Sequence, residues 1–509
     1  MNELNFNLCG YAVTAVLTAA FTPMAIRFAK TYRIVDMPDA RKIHVMPTPR
    51  CGGVAVFIIS MLSILLAETA GFISLSFQLK TLLLGAFLMF VVGLWDDLRG
   101  LSARQKLVFQ MCAAMLLCLA GGRVESIDLF GRTWVFGWLF SWTLSVIWLV
   151  GLTNAINMID GLDGLASGLA AITLALLGVT AVGFGYSAMA FCLFSVSGAL
   201  AGFLVFNGHP AKIFLGDSGS LFLGFLLAGA SLQIARDGSL KMYLAPVTAL
   251  LIPIFDALQV MLHRNLDRRS VFAADQNHFH HRLLRCGHSH QRAVLTIYGL
   301  TFIAVLIAMV QSVVSPAIAA AMFTIYFTAI VFVFRHVGAV RFREMIAGLK
   351  NNAQHNRQIR YERRHYERIE LHFQKADTIG QWWNAACLAA ESLGFRGLCF
   401  SCQTADQTPF EWVWQHCSAV CDDKTITMAI PIHDPKTKKT HWLRIDTLSE
   451  GSFESVGRNL MLFARLIDRY GKMQSNGYEK KLLSALFECG QSSGIQEPDR
   501  QEAYETIVA

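Results

Sequence analysis

The sequence predicts an all-α polytopic membrane protein of about eleven transmembrane helices, followed by a C-terminal cytoplasmic α/β domain. Three observations predict it. Of 509 residues, 54% are hydrophobic and only 16% are charged, and mean hydropathy is +0.43. Apolar runs of the length a helix needs to cross a bilayer, about 17–25 residues, recur along the first two thirds of the chain. After about residue 336 the composition turns basic and polar, and then takes on alternating strand patterns.

The runs cover residues 5–28, 52–71, 80–95, 105–122, 136–153, 165–183, 186–206, 218–234, 242–262, 294–315 and 317–335. The first opens on Asn2 and Glu3 rather than a basic region and leads to no small-residue cleavage site. It is therefore expected to stay as a span rather than be removed as a signal peptide. No internal repeat or low-complexity tract stands out. One set of connecting loops holds fifteen Lys and Arg between Lys30 and Arg292, and the other set holds five: Lys80, Arg123, Arg132, Arg236 and Lys241. The positive-inside rule puts the first set in the cytoplasm, the N-terminus outside and the C-terminus inside. Much of the net charge of +8 is this topological bias. It calls for no nucleic-acid partner and suits an anionic substrate at a membrane surface.

Four parts are expected: a membrane domain over 1–336, a basic helical connector over 337–373, a cytoplasmic α/β domain over 374–475 and a polar tail over 476–509. In the third part a helix pattern covers 376–393. Strand patterns follow at F-R-G-L-C-F-S-C, E-W-V-W-Q-H-C, T-I-T-M-A-I-P-I and H-W-L-R-I-D-T-L, and a second helix covers 452–473. This order is loosely GAF-like, by analogy alone. The twelve Cys form no regular framework, and cytoplasmic thiols are expected to be reduced. Cys399, Cys402, Cys417 and Cys421 have a zinc-like spacing. The first pair lies on a strand, where residues three apart face opposite sides, so buried thiols are the default reading.

The chemistry gathers in the loops on one side of the membrane. Residues 154–164, N-A-I-N-M-I-D-G-L-D-G, place Asn154, Asn157, Asp160 and Asp163 beside long apolar runs, where polar groups are costly and functional by default. On a helix the first three share a face. Residues 36–53 hold Arg41, Lys42, His44 and Arg50, suited to phosphate oxygens or simply to the topology rule, and Gly52-Gly53 permit close backbone approach. Asp96 and Asp97 end a span as adjacent acids, a repulsion that a divalent cation beside a diphosphate would relieve, or are two solvated acids at a helix end. Asp217 and Ser218 precede a span. They form either an anion-binding helix N-terminus or an ordinary N-cap. The longest loop carries His278, His280, His281 and Arg282, whose spacing fits protonated or donor imidazoles around a diphosphate better than a common zinc site. Asp256, within a span, reads equally as a supporting acid or a packing residue.

These five loops resemble, in order, those of the bacterial polyprenyl-phosphate N-acetylhexosamine-1-phosphate transferases (glycosyltransferase family 4), with the phospho-MurNAc-pentapeptide translocases as more distant relatives. The motifs are R-K-I-H-V-M-P-T-P-R-C-G-G, G-L-W-D-D, N-A-I-N-M-I-D-G-L-D-G-L, F-L-G-D-S-G-S and H-F-H-H-R-L, spread over residues 1 to about 335. The resemblance implies transfer of a sugar-1-phosphate from a UDP-sugar, UDP-GlcNAc foremost, to undecaprenyl phosphate, with release of UMP and initiation of a cell-envelope polysaccharide. GalNAc or a 6-deoxy N-acetyl sugar stays open. It also implies Mg²⁺, with Mn²⁺ able to substitute. By motif, Asp217 and Asp97 would be metal ligands, and Asp96 and Asp97 would lie near the lipid phosphate, one of them a candidate base. Asn154, Asn157, Asp160 and Asp163 would hold the nucleotide and the metal-site network, and Arg41, Lys42 and His44 would bind substrate. His278, His280, His281 and Arg282 would grip the diphosphate or sugar. The resemblance also implies a bacterial plasma (inner) membrane with its lipids as the surroundings, a homodimer stays open, and the tail would bind a regulator or a later glycosyltransferase. Two rival classes are a transporter, which would put its acids near the midplane, and a membrane sensor, which leaves the loop motifs unexplained.

Overall fold

The computed structural model describes residues 3–32, 34–36, 47–129, 131–266, 277–339, 342–376, 379–403, 409–415, 425–433, 440–448 and 453–470. The chain divides into two compact units, Met1–Lys350 and Asn351–Ala509.

The first unit is helical. Helix α1 (Glu3–Thr31) leads through a two-stranded antiparallel pair, β1 (Val35–Asp36) and β2 (Thr48–Pro49), to α2 (Gly52–Thr69), α3 (Phe77–Arg99) and α4 (Ala103–Leu119). A short hairpin, β3 (Ser126–Leu129) and β4 (Arg132–Val135), precedes α5 (Trp138–Ile159), α6 (Leu165–Gly183), α7 (Ser187–Asn207) and α8 (Gly216–Ile234). Then come α9 (Leu240–Ala249), α10 (Leu251–Leu266), the short α11 (Phe279–Arg285), α12 (His290–Val313), α13 (Pro316–His336) and α14 (Phe342–Gln374).

Local chemistry sets the helix starts. Ser76 accepts from the Leu79 N–H, and Ser102 forms a capping box with Gln105, so each satisfies backbone donors that the first turn leaves orphaned. Gly100, at φ +72°, ends α3.

Nine helices among the described residues are long and apolar enough to cross a membrane, as a polytopic membrane protein requires. The other two of the eleven expected spans differ from a single long helix. The 105–122 segment forms α4, only 17 residues long. The 242–262 segment breaks at Leu250 into α9 and α10, bent by 73°. Proline explains the break. Pro253 lies in the first turn of α10, where its missing N–H is tolerated, but it cannot continue a helix from the preceding turn.

The core surrounds α8, in which every residue except Asp217 is buried. Phe57 of α2 stacks on Phe90 of α3 at 4.0 Å and meets Phe222 of α8 edge-on at 5.2 Å. Small residues let backbones touch, the usual means of packing helices where no water drives them together. A Cβ at Gly53 would fall 2.2 Å from the Gly219 nitrogen, and one at Gly93 would fall 2.2 Å from the Asp217 carbonyl oxygen. The close approach expected of the Gly52-Gly53 pair is therefore present, and it brings α2 and α3 against the first turn of α8.

The second unit holds the end of α14, α15 (Ile379–Ser392), β5 (Phe395–Gln403), β6 (Pro409–Gln415), β7 (Thr425–His433), β8 (Thr440–Leu448) and α16 (Phe453–Tyr470). The strands form an antiparallel sheet in the order β6-β5-β8-β7. Its core joins Phe373, Ala386, Leu398, Leu443, Ile445 and Phe463. Of the cysteines with zinc-like spacing, Cys399 is a half-buried free thiol on β5. Cys417 and Cys421 lie outside the described residues, as does the side chain of Cys402.

Because the atoms opposing Gly53 and Gly93 are backbone, Gly53→Ala or Gly93→Ala should destabilise the protein by about 1–3 kcal/mol, the ordinary cost of overpacking. Gly151→Ala, where nothing lies within 4 Å of the added carbon, should not. Thermal unfolding of the purified protein checks both, and equal midpoints for all three variants would refute the close-contact argument.

Candidate active site

One end of the helical bundle collects the polar groups. The C-terminal turn of α3 supplies Asp96 and Asp97, the residue before Cys51 and α2 is Arg50, α4 supplies Lys106, and the first turn of α8 supplies Asp217. Asp97 has no exposed side-chain surface. Its Oδ1 accepts from the Asp217 N–H at 2.9 Å and its Oδ2 from the Ser218 N–H at 2.9 Å. The first turn of α8 is thus capped from another helix. Leu215 stands at the N-cap position without a side-chain hydrogen bond, so the reading of Asp217 or Ser218 as the cap is corrected. The anion expected at this N-terminus is the protein's own carboxylate.

Two cations bridge three acids. Arg50 reaches Asp97 Oδ1 through Nε at 3.1 Å and Asp217 Oδ1 through Nη2 at 3.0 Å. Lys106 Nζ lies 2.8 Å from Asp96 Oδ2 and 2.9 Å from Asp217 Oδ2. Asp96 Oδ1 also accepts from the Leu101 N–H at 2.5 Å. Burial works against the charge on Arg50, but the carboxylates of Asp217 and Asp97 hold its guanidinium above the ordinary arginine value. Charges taken out of water persist only when paired in this way.

The polar face of α5 lies beside this cluster. Asn154 exchanges hydrogen bonds with Gln110 of α4, donating through Nδ2 at 2.7 Å and accepting at Oδ1 at 3.3 Å. Asn157 Nδ2 donates to Ser220 Oγ of α8 at 2.8 Å. Asp160 stands just past the helix end as its C-cap. Burial, together with the charges of Asp217, Asp97 and Asp163, pushes its carboxyl up to about 7, although Arg50 pulls the other way. Asp163 turns to different partners: its Oδ2 lies 2.7 Å from His209 Nδ1 and accepts from the Ala211 N–H at 3.1 Å.

The histidine segment is anchored from the bent pair. Asp256 of α10 holds His278 Nδ1 at 2.9 Å through Oδ2, and accepts the Phe279 N–H at 2.7 Å and Gln259 Nε2 at 3.2 Å through Oδ1. Of the two readings of Asp256, the supporting acid is the one its contacts bear out. His280 is 1% exposed and lies against Gly161, whose added Cβ would fall 2.5 Å from His280 Nε2. Burial drives the His280 imidazole down to about 3, so it is neutral at physiological pH. Of the two expected forms, a protonated or a donor imidazole, burial leaves the neutral donor at that position. Its ring lies 4.3 Å from that of His281, and Arg282 Nη2 donates to Asn277 Oδ1 at 2.6 Å. Arg41, Lys42 and His44 lie outside the described residues.

Sequence reasoning left out Lys106 and Gln110 as site residues. Both are polar positions four apart on one face of α4, and Lys106 follows Asp96 by ten residues. That spacing was the available signal.

A helical membrane bundle with acids, cations and histidines gathered at one end is an arrangement suited to chemistry on an anion at a bilayer surface. Residues 79–235 match the model of glycosyl transferase family 4. The chain is 36% identical over 296 residues to a probable undecaprenyl-phosphate N-acetylglucosaminyl 1-phosphate transferase of Bacillus subtilis (strain 168), covering 58% of this chain and 81% of that protein. It is 37% identical over 326 residues to a decaprenyl-phosphate N-acetylglucosaminephosphotransferase of Mycobacterium leprae, covering 56% of this chain and 78% of that protein. A phospho-N-acetylmuramoyl-pentapeptide-transferase of Bacillus mycoides is 31% identical over 315 residues, covering 58% of this chain and 95% of that protein. The chain belongs to glycosyl transferase family 4, a family of phosphosugar transferases.

The raised carboxyl of Asp160 gives a pH prediction. Held at about 7 when folded and near 3.9 when unfolded, it binds more protons in the folded state between those values. Stability from this group is therefore complete below about pH 4 and lost as pH rises through about 7. In chelator-treated protein the thermal midpoint should fall less from pH 5 to pH 8 in Asp160→Asn than in the parent. An identical fall would rule out this assignment.

Proposed function

We propose that this chain transfers an N-acetylhexosamine-1-phosphate from a UDP-sugar, UDP-GlcNAc foremost, to undecaprenyl phosphate, releasing UMP and starting a cell-envelope polysaccharide. The observation that carries this reading is the bridged cluster of Asp96, Asp97 and Asp217 with Arg50 and Lys106, at the same end of the bundle as the anchored histidine segment. The names of the relatives support the lipid and sugar classes. The Lys and Arg bias of the loops supports a cytoplasmic site, an external N-terminus and a cytoplasmic C-terminal domain.

In this reading an oxygen of the lipid phosphate attacks the β-phosphorus of the UDP-sugar in line. The bond from that phosphorus to the bridging oxygen breaks, and UMP leaves with the oxygen. A phosphate monoester has its second pKa near 6 (as for phosphorylated side chains), so the nucleophile is largely ionised and needs no strong base. Positioning and charge neutralisation then supply most of the rate. Lys106 and Arg50 meet developing negative charge on the phosphates, and Asp96 holds Lys106. Asp97, wholly enclosed, keeps the first turn of α8 and Arg50 in place. Asn154, Asn157, Asp160 and Asp163 line the nucleotide side. His278, His280, His281 and Arg282 face the diphosphate or sugar as donors, with Arg41, Lys42 and His44 as further anion contacts.

The cluster suits Mg²⁺, with Mn²⁺ as substitute. Its donors are hard carboxylate oxygens, and three acids against two cations leave net negative charge. Asp217 would hold the ion, joined by Asp97 if Arg50 yields, and bound metal would supply charge neutralisation at the diphosphate.

The test is UMP release by purified protein given Mg²⁺, undecaprenyl phosphate and a panel of UDP-sugars. UDP-GlcNAc should support turnover. Lys106→Gln should lower it at least about tenfold, within the usual cost of losing a charge-stabilising donor. Asp217→Asn should raise the Mg²⁺ concentration needed. No release with any sugar would overturn the assignment, and an unchanged metal requirement would remove Asp217 as ligand.

A further inference from the structure

We propose that Asp163, His209 and His290 form a second metal site, of the transition-metal class represented by Zn²⁺ and separate in chemistry from the carboxylate cluster. Among the described residues these three bring one ligand atom each within 4.8 Å of one another. They come from three segments: the turn before α6, the loop after α7 and the first residue of α12. His209 Nδ1 lies 2.7 Å and His290 Nε2 4.0 Å from the same carboxylate oxygen, Asp163 Oδ2. Zinc binds nitrogen and oxygen at about 2.0–2.2 Å, so tetrahedral ligand atoms stand about 3.3 Å apart. The two separations bracket that value.

His290 provides the independent observation. Both its ring nitrogens are shielded from solvent and neither has a well-aligned hydrogen-bond partner among the described residues, the Asp163 backbone being near enough only to act on the ring. A shielded imidazole with neither nitrogen satisfied is costly, and a ligand on one nitrogen removes much of that cost. Its ring stacks on His209 at 4.0 Å with an interplanar angle of 17°, so a shared ion requires one ring to turn out of the stack until both in-plane nitrogens point at it.

The surroundings hold the group in place. Ala211 N–H donates to Asp163 Oδ2 at 3.1 Å, Ser167 Oγ donates to Asn207 Oδ1 at 2.7 Å, Asn207 Nδ2 donates to the Ile213 carbonyl at 2.9 Å, and Tyr298 of α12 donates to the Gly164 carbonyl. Such outer contacts fix ligand orientation at metal sites. Two imidazoles and one carboxylate favour zinc or a neighbouring transition ion, whereas carboxylates alone favour Mg²⁺. Three protein ligands leave a fourth position open to water or another donor. A bound ion would tie α12 to the turn that follows Asp160.

The experiment uses the full chain in lipid nanodiscs, its purification tag removed and its metals stripped with chelator. Zn²⁺ is titrated against a chromophoric chelator, and Co²⁺ is followed by its ligand-field absorption. One equivalent should bind, and zinc should raise the thermal midpoint, since a ligand of the folded state stabilises it. His290→Ala and His209→Ala should each weaken binding at least tenfold and abolish both the cobalt spectrum and the thermal shift. His336→Ala, on α13, should change none of these. His209 is exposed, so its variant serves even if His290→Ala fails to fold. Equal zinc affinity and cobalt spectra in the parent and the His209 variant would overturn the site. No substrate is present, so this result is independent of the transferase assay.

Discussion

Asp97 joins two problems that a buried helix end creates. Helix α8 runs through the core, and the N–H groups of its first turn have no intrahelical acceptor. Left unpaired in the interior, each would cost about 1–3 kcal/mol. The Asp97 carboxylate takes two of them, and its negative charge suits the positive end of the helix dipole. That charge is itself out of water, and Arg50 compensates it. Arg50 then extends to Asp217, and Lys106 closes the circuit through Asp96. The geometry demands that three backbones meet, which is why glycine stands at Gly53 and Gly93. Packing and chemistry here are one arrangement.

The histidine segment depends on a second device of the same kind. A straight span across residues 242–262 would carry Asp256 as an isolated acid in an apolar helix. The break at Leu250 turns α10 so that Asp256 instead receives His278 and the Phe279 N–H. With His278 so held, His280 packs over Gly161 in the turn that carries Asp160 and Asp163. The two halves of the site are thereby joined through side-chain and backbone contacts rather than through the loop alone.

Much of this was legible in the sequence. Nine of the expected spans appear as long apolar helices, and the four strands and two flanking helices of the second unit fall where their patterns put them. Asp96, Asp97, Asp217 and the α5 face stood out because charge beside apolar runs is rare. Lys106 did not, because a lysine at a helix start reads first as topological bias. His209 and His290 did not either. His209 stands by itself in a loop and His290 shares a helix start with His288, and only folding brings His209 and His290 to Asp163, 46 and 127 residues away.

By itself the sequence determined which segments leave water, where most of the long helices lie, and which residue types are too polar for their surroundings. These follow from composition and short-range spacing, and they carried the family with them. Tertiary structure alone decided which acid caps α8, which cations bridge the three carboxylates, that Asp256 holds the histidine segment and that Asp163 turns toward two histidines. Hydrogen bonds and ion pairs depend on distances of a few ångströms between residues far apart in the chain, and linear spacing does not record those distances.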